Sequence, residues 1–382
     1  MISPIPERSE FPLREGLVYL NHAGVAPIPK RSADKIAALT NHLVNHGASR
    51  YGELDRAQER IRRQCAQLIK GNPEQLAFVA STSEGLSFVA LGIDWRRGDE
   101  IITTDQEFPS NIVIWLDIAR RFGVKVHQVP SKPDGGVDAE ALLERVNART
   151  RVLAVSSVQF STGAAVDIQR LGEVLKPTET LFVVDGIQSL GVLPMDVSGW
   201  GIDALAADGH KWLLSPEGCG LIHLSEKGMA EIQPRVLGWH SVANVGEYDR
   251  IVIEPRQSAR RFEAGSPNIL GIEGLGAGVE LLLEVGEAQV WQRVQGLVGA
   301  LMTGLLERGC RIHTPLNDQG RPGAGILIFS HPSLENRALQ RGLTGAGIFQ
   351  IERGRGIRLS PHFYQDQREV AYTLETLDRL LG

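Results

Sequence analysis

The sequence predicts an α/β protein: a large domain built on a mainly parallel sheet, followed by a smaller C-terminal α+β domain. Three observations carry that reading. Short β-like runs alternate with helix-period stretches through roughly the first 265 residues, the pattern of a parallel sheet covered on both faces. Runs such as Leu181-Phe182-Val183-Val184 are apolar throughout, which suits strands buried on two sides. Beyond residue 265 or so the texture changes to one long helical stretch and then shorter mixed units.

In order, the expected strands are residues 76–80, 100–103, 124–129, 152–155, 181–184, 204–207 and 220–224. Helical spacing falls between them at 111–122, 138–147 and 168–175. The 42 glycines end many of the apolar runs, as frequent tight turns require. The late region reads as a helix from 270 to about 308, a strand at 325–330 and a helix at 334–346. A strand at 356–360 and a final helix at 367–381 complete it. These elements place the large domain at residues 15–280 and the small one at 281–382, with segment 1–14 packed on the latter. There is no internal repeat and no low-complexity segment.

Composition narrows the class. Lysine and arginine total 40 against 45 aspartates and glutamates, a net charge of −5, which argues against a nucleic-acid or anionic-membrane binder. Cys65, Cys219 and Cys310 are too scattered for a disulfide framework or a zinc knuckle and fit a reducing compartment. His42 and His46 share a helix face without a third ligand, so no metal site is expected. The start of the chain carries three prolines and several charges where a signal peptide needs an apolar stretch. No run approaches the roughly 18 apolar residues of a membrane span. The expectation is a cytoplasmic protein.

In open parallel sheets the chemistry sits beyond the carboxyl ends of the strands. Asp185 directly follows the buried run 181–184. An acid there needs a compensating cation or hydrogen bonds, although a helix N-cap is the competing reading. Lys211, in Asp208-Gly209-His210-Lys211-Trp212, lies between apolar runs. Most lysines are surface residues, but one buried in an apolar site has a lowered pKa and forms imines readily. A lysine Schiff base with an Asp facing a pyridinium nitrogen is the pyridoxal phosphate arrangement. The phosphate site that idea requires is Ser81-Thr82-Ser83-Glu84-Gly85, which follows a strand and opens a helix. Ser81 with Glu84 also reads as a capping box, and the two readings are compatible.

With these residues in order, the chain resembles the class V aminotransferase family of fold-type I pyridoxal phosphate enzymes, in its isopenicillin N epimerase-like and cysteine desulfurase-like branch. The segments that carry the resemblance are Tyr19 to Gly24, Ser81 to Gly85, Glu107 to Trp115, Asp185 to Gln188, His210-Lys211, Phe262 to Asn268 and Arg358 to Tyr364. The resemblance implies a fold-type I transferase whose Lys211 holds the cofactor as an imine and shuttles the proton at the substrate Cα. Asp185 would face the pyridine nitrogen and Gln188 the phenolic oxygen. Thr82, Ser83, His210 and Asp208 would surround the phosphate, Asp208 departing from the serine common among relatives. Gln159 takes a place often filled by asparagine near the ring. Phe108 replaces a stacking histidine and cannot transfer a proton. Ser266 would reach the phosphate of a neighbouring subunit, which implies a homodimer with shared sites. Arg358 would clamp the substrate carboxylate, with Asn21 beside it.

For the reaction, the sequence expectation is an aminotransferase acting on an amino acid or amino-bearing metabolite. The alternatives are an epimerase or a carbon–sulfur lyase working by β-elimination, and a binding protein without turnover. A persulfide-forming cysteine desulfurase is disfavoured on this reading, because no cysteine lies between Arg321 and Arg358. Arg50, Trp239, His240 and Arg353 are further residues that face either substrate or an interface.

Overall fold

The structure, a computed structural model, describes residues 6–49 and 51–382. The first elements are a two-residue strand β1 (Val18–Tyr19) and the helices α1 (Lys30–His46) and α2 (Tyr51–Leu68). The large sheet then forms from β2 (Leu76–Val79), β3 (Glu100–Thr104), β4 (Lys125–Val129), β5 (Thr150–Ser156), β6 (Leu181–Asp185), β7 (Ala204–Asp208) and β8 (Gly220–Leu224). Helices α3 (Thr82–Gly92), α4 (Val113–Phe122), α5 (Ala139–Leu143) and α6 (Ile168–Leu175) connect the early strands, and α7 (Glu226–Glu231) follows β8.

The strand order is β2-β8-β7-β6-β5-β3-β4. Strands β4, β3, β5, β6 and β7 are parallel to one another, whereas β8 runs antiparallel to both β7 and β2. A strand antiparallel to both neighbours leaves β2 pointing the same way as β7. The carboxyl ends of β2, β3, β5, β6 and β7 therefore meet along one edge, where ligands bind in open α/β sheets. Every residue of β2, β3, β6, β7 and β8 is buried. Separate apolar layers cover the two faces, one with Ile102, Leu153, Phe182 and Leu205, the other with Ile101, Val152, Val183 and Ala204. That two-sided burial is why the runs read as continuous rather than alternating.

The long helix expected from 270 to about 308 is two helices, α8 (Ile269–Val285) and α9 (Glu287–Glu307). Gly286 breaks it at φ 86° while its N–H still bonds Leu282 O at 2.9 Å, a left-handed stop that glycine alone takes cheaply. The smaller sheet comprises β9 (Arg311–Ile312), β10 (Leu327–Ser330), β12 (Ile351–Arg353) and β13 (Gly356–Leu359), all pairs antiparallel. Helices α10 (Asn336–Gly345) and α11 (Gln367–Leu381) complete this smaller C-terminal domain, and β11 (Ile348–Phe349) pairs with β1 in parallel.

Of the amino-terminal segment 1–14, residues 1–5 lie outside the described residues. In the remainder, Arg8 bonds Glu369 and Glu7 bonds Arg293, each at 3.0 Å, and Phe11 stacks on Tyr364 with centroids 3.6 Å apart. The two ends of the chain thus meet. A buried bidentate pair ties α2 to the loop before α8: Arg62 reaches Glu263 at 2.7 and 3.1 Å, and the Phe78 amide donates to the same carboxylate.

Candidate active site

A cavity of about 460 Å³ opens at the carboxyl edge of the large sheet. On one side is the start of α3. Ser81 Oγ accepts the Glu84 N–H at 3.2 Å, which caps the helix, but Glu84 accepts the Ala80 N–H at 2.6 Å rather than that of Ser81, so the expected capping box forms only in half. The helix still points its first turn into the cavity, with Thr82 and Ser83 on the wall. Thr82 Oγ1 accepts the Asp208 N–H at 2.8 Å, and Ser83 Oγ pairs with Ser110 Oγ at 2.7 Å. Gly85 permits this close seating, since a Cβ there would stand 3.0 Å from the Ala206 Cβ.

Asp185 closes β6 at the floor, fully buried, its Oδ1 accepting the Ile187 N–H at 3.0 Å. Burial pushes its carboxyl up to about 7; the Ile187 amide and the Lys211 charge oppose that, while Glu107 reinforces it. Lys211 follows β7, and burial brings its amine down to about 8, with Asp185 and Asp208 pulling upward and Arg358 and Arg353 downward. Its Nζ lies 5.6 Å from the centre of the Phe108 ring. The turn after it is tightly held. Leu214 adopts φ 58°, a conformation that non-glycine residues hold only where the surroundings impose it. A Cβ on Gly278 would sit 2.3 Å from Leu213 O, and one on Gly191 2.3 Å from Trp212 O. Gly278 of α8 is thus a close-approach position that seats the helix on the lysine turn.

Around this centre, Gln188 accepts the Trp212 indole N–H at 3.0 Å and donates to Ala23 O at 3.0 Å, which fixes its amide. His210 Nδ1 stands 3.1 Å from Asp208 Oδ2 without hydrogen-bond alignment, and Asp208 Oδ1 is buried without a partner. Arg358 rises from β13 and donates to Asn21 Oδ1 and Phe160 O, both at 3.2 Å. Burial, then Arg353, brings its guanidinium down to about 10.

Two expected residues sit elsewhere. Gln159 does not line the cavity: it lies behind it and donates to Glu107 Oε1 at 2.8 Å. Ser266 lines a separate cavity of about 330 Å³ with Phe78, Ala80 and Phe88. Among the other candidates, Arg353 lines the active-site cavity and Trp239 lines a third, while Arg50 lies outside the described residues. Cys65, Cys219 and Cys310 are buried and none lines the cavity; burial pushes the first up to about 12, the second well above its usual value and the third up to about 11.

The sequence reading missed a buried supporting network. His22 donates from Nδ1 to Ser360 O at 2.8 Å and accepts the Tyr364 hydroxyl at 2.7 Å, while His362 Nε2 donates to Trp212 O at 3.1 Å. Glu107 gathers Ser156, Gln159 and Asn111 around one buried carboxylate. The usable signal is an acid three residues past the end of a buried strand.

This donor set suits a ligand with an anionic end, a basic ring nitrogen and a carbonyl carbon. Hydroxyls and a helix N-terminus stand at one side, a buried acid at the floor, and a readily deprotonated amine between them.

The family model for aminotransferase class V matches residues 18–364. The chain belongs to that family. Its cofactor is pyridoxal phosphate, and the fold is the family's fold-type I. A probable cysteine desulfurase from Pyrococcus abyssi is 27% identical over 99% of this chain and 98% of its own. A variant of C-DES with glycine covalently linked to its pyridoxal phosphate superposes with TM-score 0.90 at 25% identity, covering 98% of this chain and 99% of the other. The cystine C–S lyase C-DES in complex with its reaction product, cysteine persulfide, gives 0.86 at 25% identity over 95% and 96% of the two chains.

These relatives overturn the expectation of an aminotransferase, and with it the setting aside of desulfuration. The absence of a cysteine between Arg321 and Arg358 disfavours only a persulfide-forming desulfurase and leaves a carbon–sulfur lyase among the alternatives. In the C-DES complex the persulfide is borne by the product cysteine. Among the described residues no helix is long and apolar enough to cross a membrane.

Proposed function

We propose that this class V enzyme cleaves the carbon–sulfur bond of a cysteine-type amino acid. The observation that carries the reading is the agreement of relatives over nearly the whole chain, which are named for carbon–sulfur chemistry. When bound, pyridoxal phosphate supplies an electron sink for the charge that develops at the substrate Cα.

The chain's own residues do the rest. Thr82, Ser83, His210 and the first turn of α3 would hold the phosphate, with Asp208 beside His210. Asp185 pairs with the ring nitrogen and keeps it protonated, a role its burial strengthens because the paired charge meets little water. Gln188, its amide fixed by Trp212, donates to the phenolic oxygen. Phe108, on the cavity wall, would stack on the ring without exchanging protons. Gln159 acts at second hand through Glu107. Arg358 takes the α-carboxylate, with Asn21 fixing its plane.

Lys211 anchors the cofactor and moves the Cα proton. An amine held near 8 is available as a base close to neutral pH, where a solvent-exposed lysine is not. The Cβ–S bond then breaks with its electron pair leaving on sulfur.

The same reading takes 15–280 as the cofactor-binding domain and 281–382 as the small domain, the site lying between them. It also takes the active form as a homodimer. In this reading Ser266, which lies away from its own chain's cavity, serves a partner's phosphate, and the exposed Trp239, Tyr248, Ile251 and Ile253 nearby in sequence support an interface. The test is incubation of the purified holoenzyme with L-cysteine and L-cystine, measuring released sulfur together with alanine or pyruvate. Amino transfer to keto acids without sulfur release from any sulfur amino acid overturns the reading.

A further inference from the structure

The cavity holds a second guanidinium that the mechanism above does not use. Strand β12 pairs antiparallel with β13, with Ile351 opposite Arg358 and Arg353 opposite Gly356. Residues two apart on a strand share a face, and directly opposed residues share it too. Ile351, Arg353 and Arg358 therefore stand on one face, and all three line the cavity. The tip of this hairpin is seated: Gly354, at φ 61°, would place a Cβ 2.4 Å from Ser161 O. Ser161 adjoins Phe160, whose carbonyl accepts from Arg358.

The charges on this wall are uncompensated. Arg358 bonds only neutral acceptors, and its Nε is buried without a partner. Among the described residues the Arg353 side chain has no ion pair or hydrogen bond, and it acts on Arg358 and Lys211 by repulsion. The acids of the cavity wall, Asp185 and Asp208, close β6 and β7 in the large sheet, on the floor where the cofactor binds. Two like charges on one small face are unfavourable unless the ligand neutralises both. Arg358 is spoken for by the α-carboxylate.

The geometry points to Arg353 as a specificity residue that holds a second anionic group at the far end of the substrate, beyond the sulfur. The substrate class is then a cysteine whose sulfur bears a substituent ending in an acid. This inference rests on the carbon–sulfur reading, and its test separates the two. Arg353 is exposed at a hairpin tip, so truncating it leaves the fold in place. Arg355, on the same hairpin but outside the cavity wall, is the control.

The experiment compares holoenzyme kcat/KM for S-sulfo-L-cysteine and S-methyl-L-cysteine, and measures binding of glutarate against butyrate by titration calorimetry. A charged hydrogen-bond contact predicts a preference for the dianion of about 10- to 100-fold. Arg353→Ala abolishes that preference, Arg353→Lys restores part of it, and Arg355→Ala keeps it. Equal use of the two cysteine derivatives by the native enzyme, or a preference that survives Arg353→Ala, overturns the inference. If no cysteine derivative is cleaved but the glutarate margin exists and vanishes in Arg353→Ala, the role of Arg353 stands and the carbon–sulfur reading falls. With neither cleavage nor margin, both fall.

Discussion

Replacing Asp185 by asparagine should stabilise the cofactor-free protein at alkaline pH while disabling it as an enzyme. The carboxyl is held near 7 against about 3.9 in an unfolded chain. A tenfold difference in proton affinity corresponds to about 1.4 kcal/mol. A raised carboxyl favours the fold fully below the unfolded value and loses that contribution as pH rises through the folded one. Between pH 5 and pH 8 the native protein therefore gives up about 3 kcal/mol at this one residue. Asparagine has the same shape and nothing to ionise. It also withdraws the charge facing Lys211, which trims the expected gain to about 2 kcal/mol. The assay is urea denaturation of the apoprotein at pH 5 and pH 8 for both forms. The stability difference between Asp185→Asn and the native chain should move in favour of the variant as pH rises. A difference that is flat, or that moves the other way, refutes the claim that Asp185 is strained by burial when the cofactor is absent. Weakened cofactor retention in the same variant is expected alongside.

Other consequences can be checked as readily. Lys211→Ala should abolish borohydride fixation of the cofactor, and a label on any other lysine of the native enzyme would refute its assignment as the anchor. Glu263→Ala strands Arg62 in the interior and should destabilise the protein by about 3–5 kcal/mol, read by denaturation; partial recovery in the double variant with Arg62→Met would separate charge from packing. Gly278→Ala drives a methyl against Leu213 O and should cost about 1–3 kcal/mol and shift the bound cofactor's absorption, because the lysine turn moves. His223 is buried and its imidazole is lowered to about 4. Its contribution is therefore intact above about 6.5 and lost as pH falls through 4. His223→Leu should flatten the acid limb of the stability curve.

Much of the candidate site was legible because its residues follow strand ends. Asp185 stands directly after a buried apolar run and Thr82 and Lys211 two and four residues after theirs, so local punctuation marked them. Other features depend on pairing that no window of sequence displays. Arg353 enters the cavity through its register against β13, and Gln159 faces away because Glu107 captures its amide. The His22 and His362 network joins segments 340 positions apart, and its members look like ordinary histidines. Gly286 is one glycine among many until its backbone angle is known. The error about the reaction had a different origin: one missing residue type was given more weight than a chain-long likeness to sulfur enzymes could bear.

The pairing of β1 with β11, and of Asn21 with Ser360 and Arg358, has a bearing on how the molecule comes into being. Every residue assigned to the cofactor floor lies from 82 to 211, on strands and turns of a sheet whose last strand ends at Leu224. The carboxylate clamp requires the twenty-first residue to wait for the three hundred and fifty-eighth. Contacts of such long sequence separation form slowly and late. During synthesis a chain able to seat the cofactor should therefore precede one able to take substrate, so that the reactive amine and its sink exist for a time without the arginine that selects what they act on.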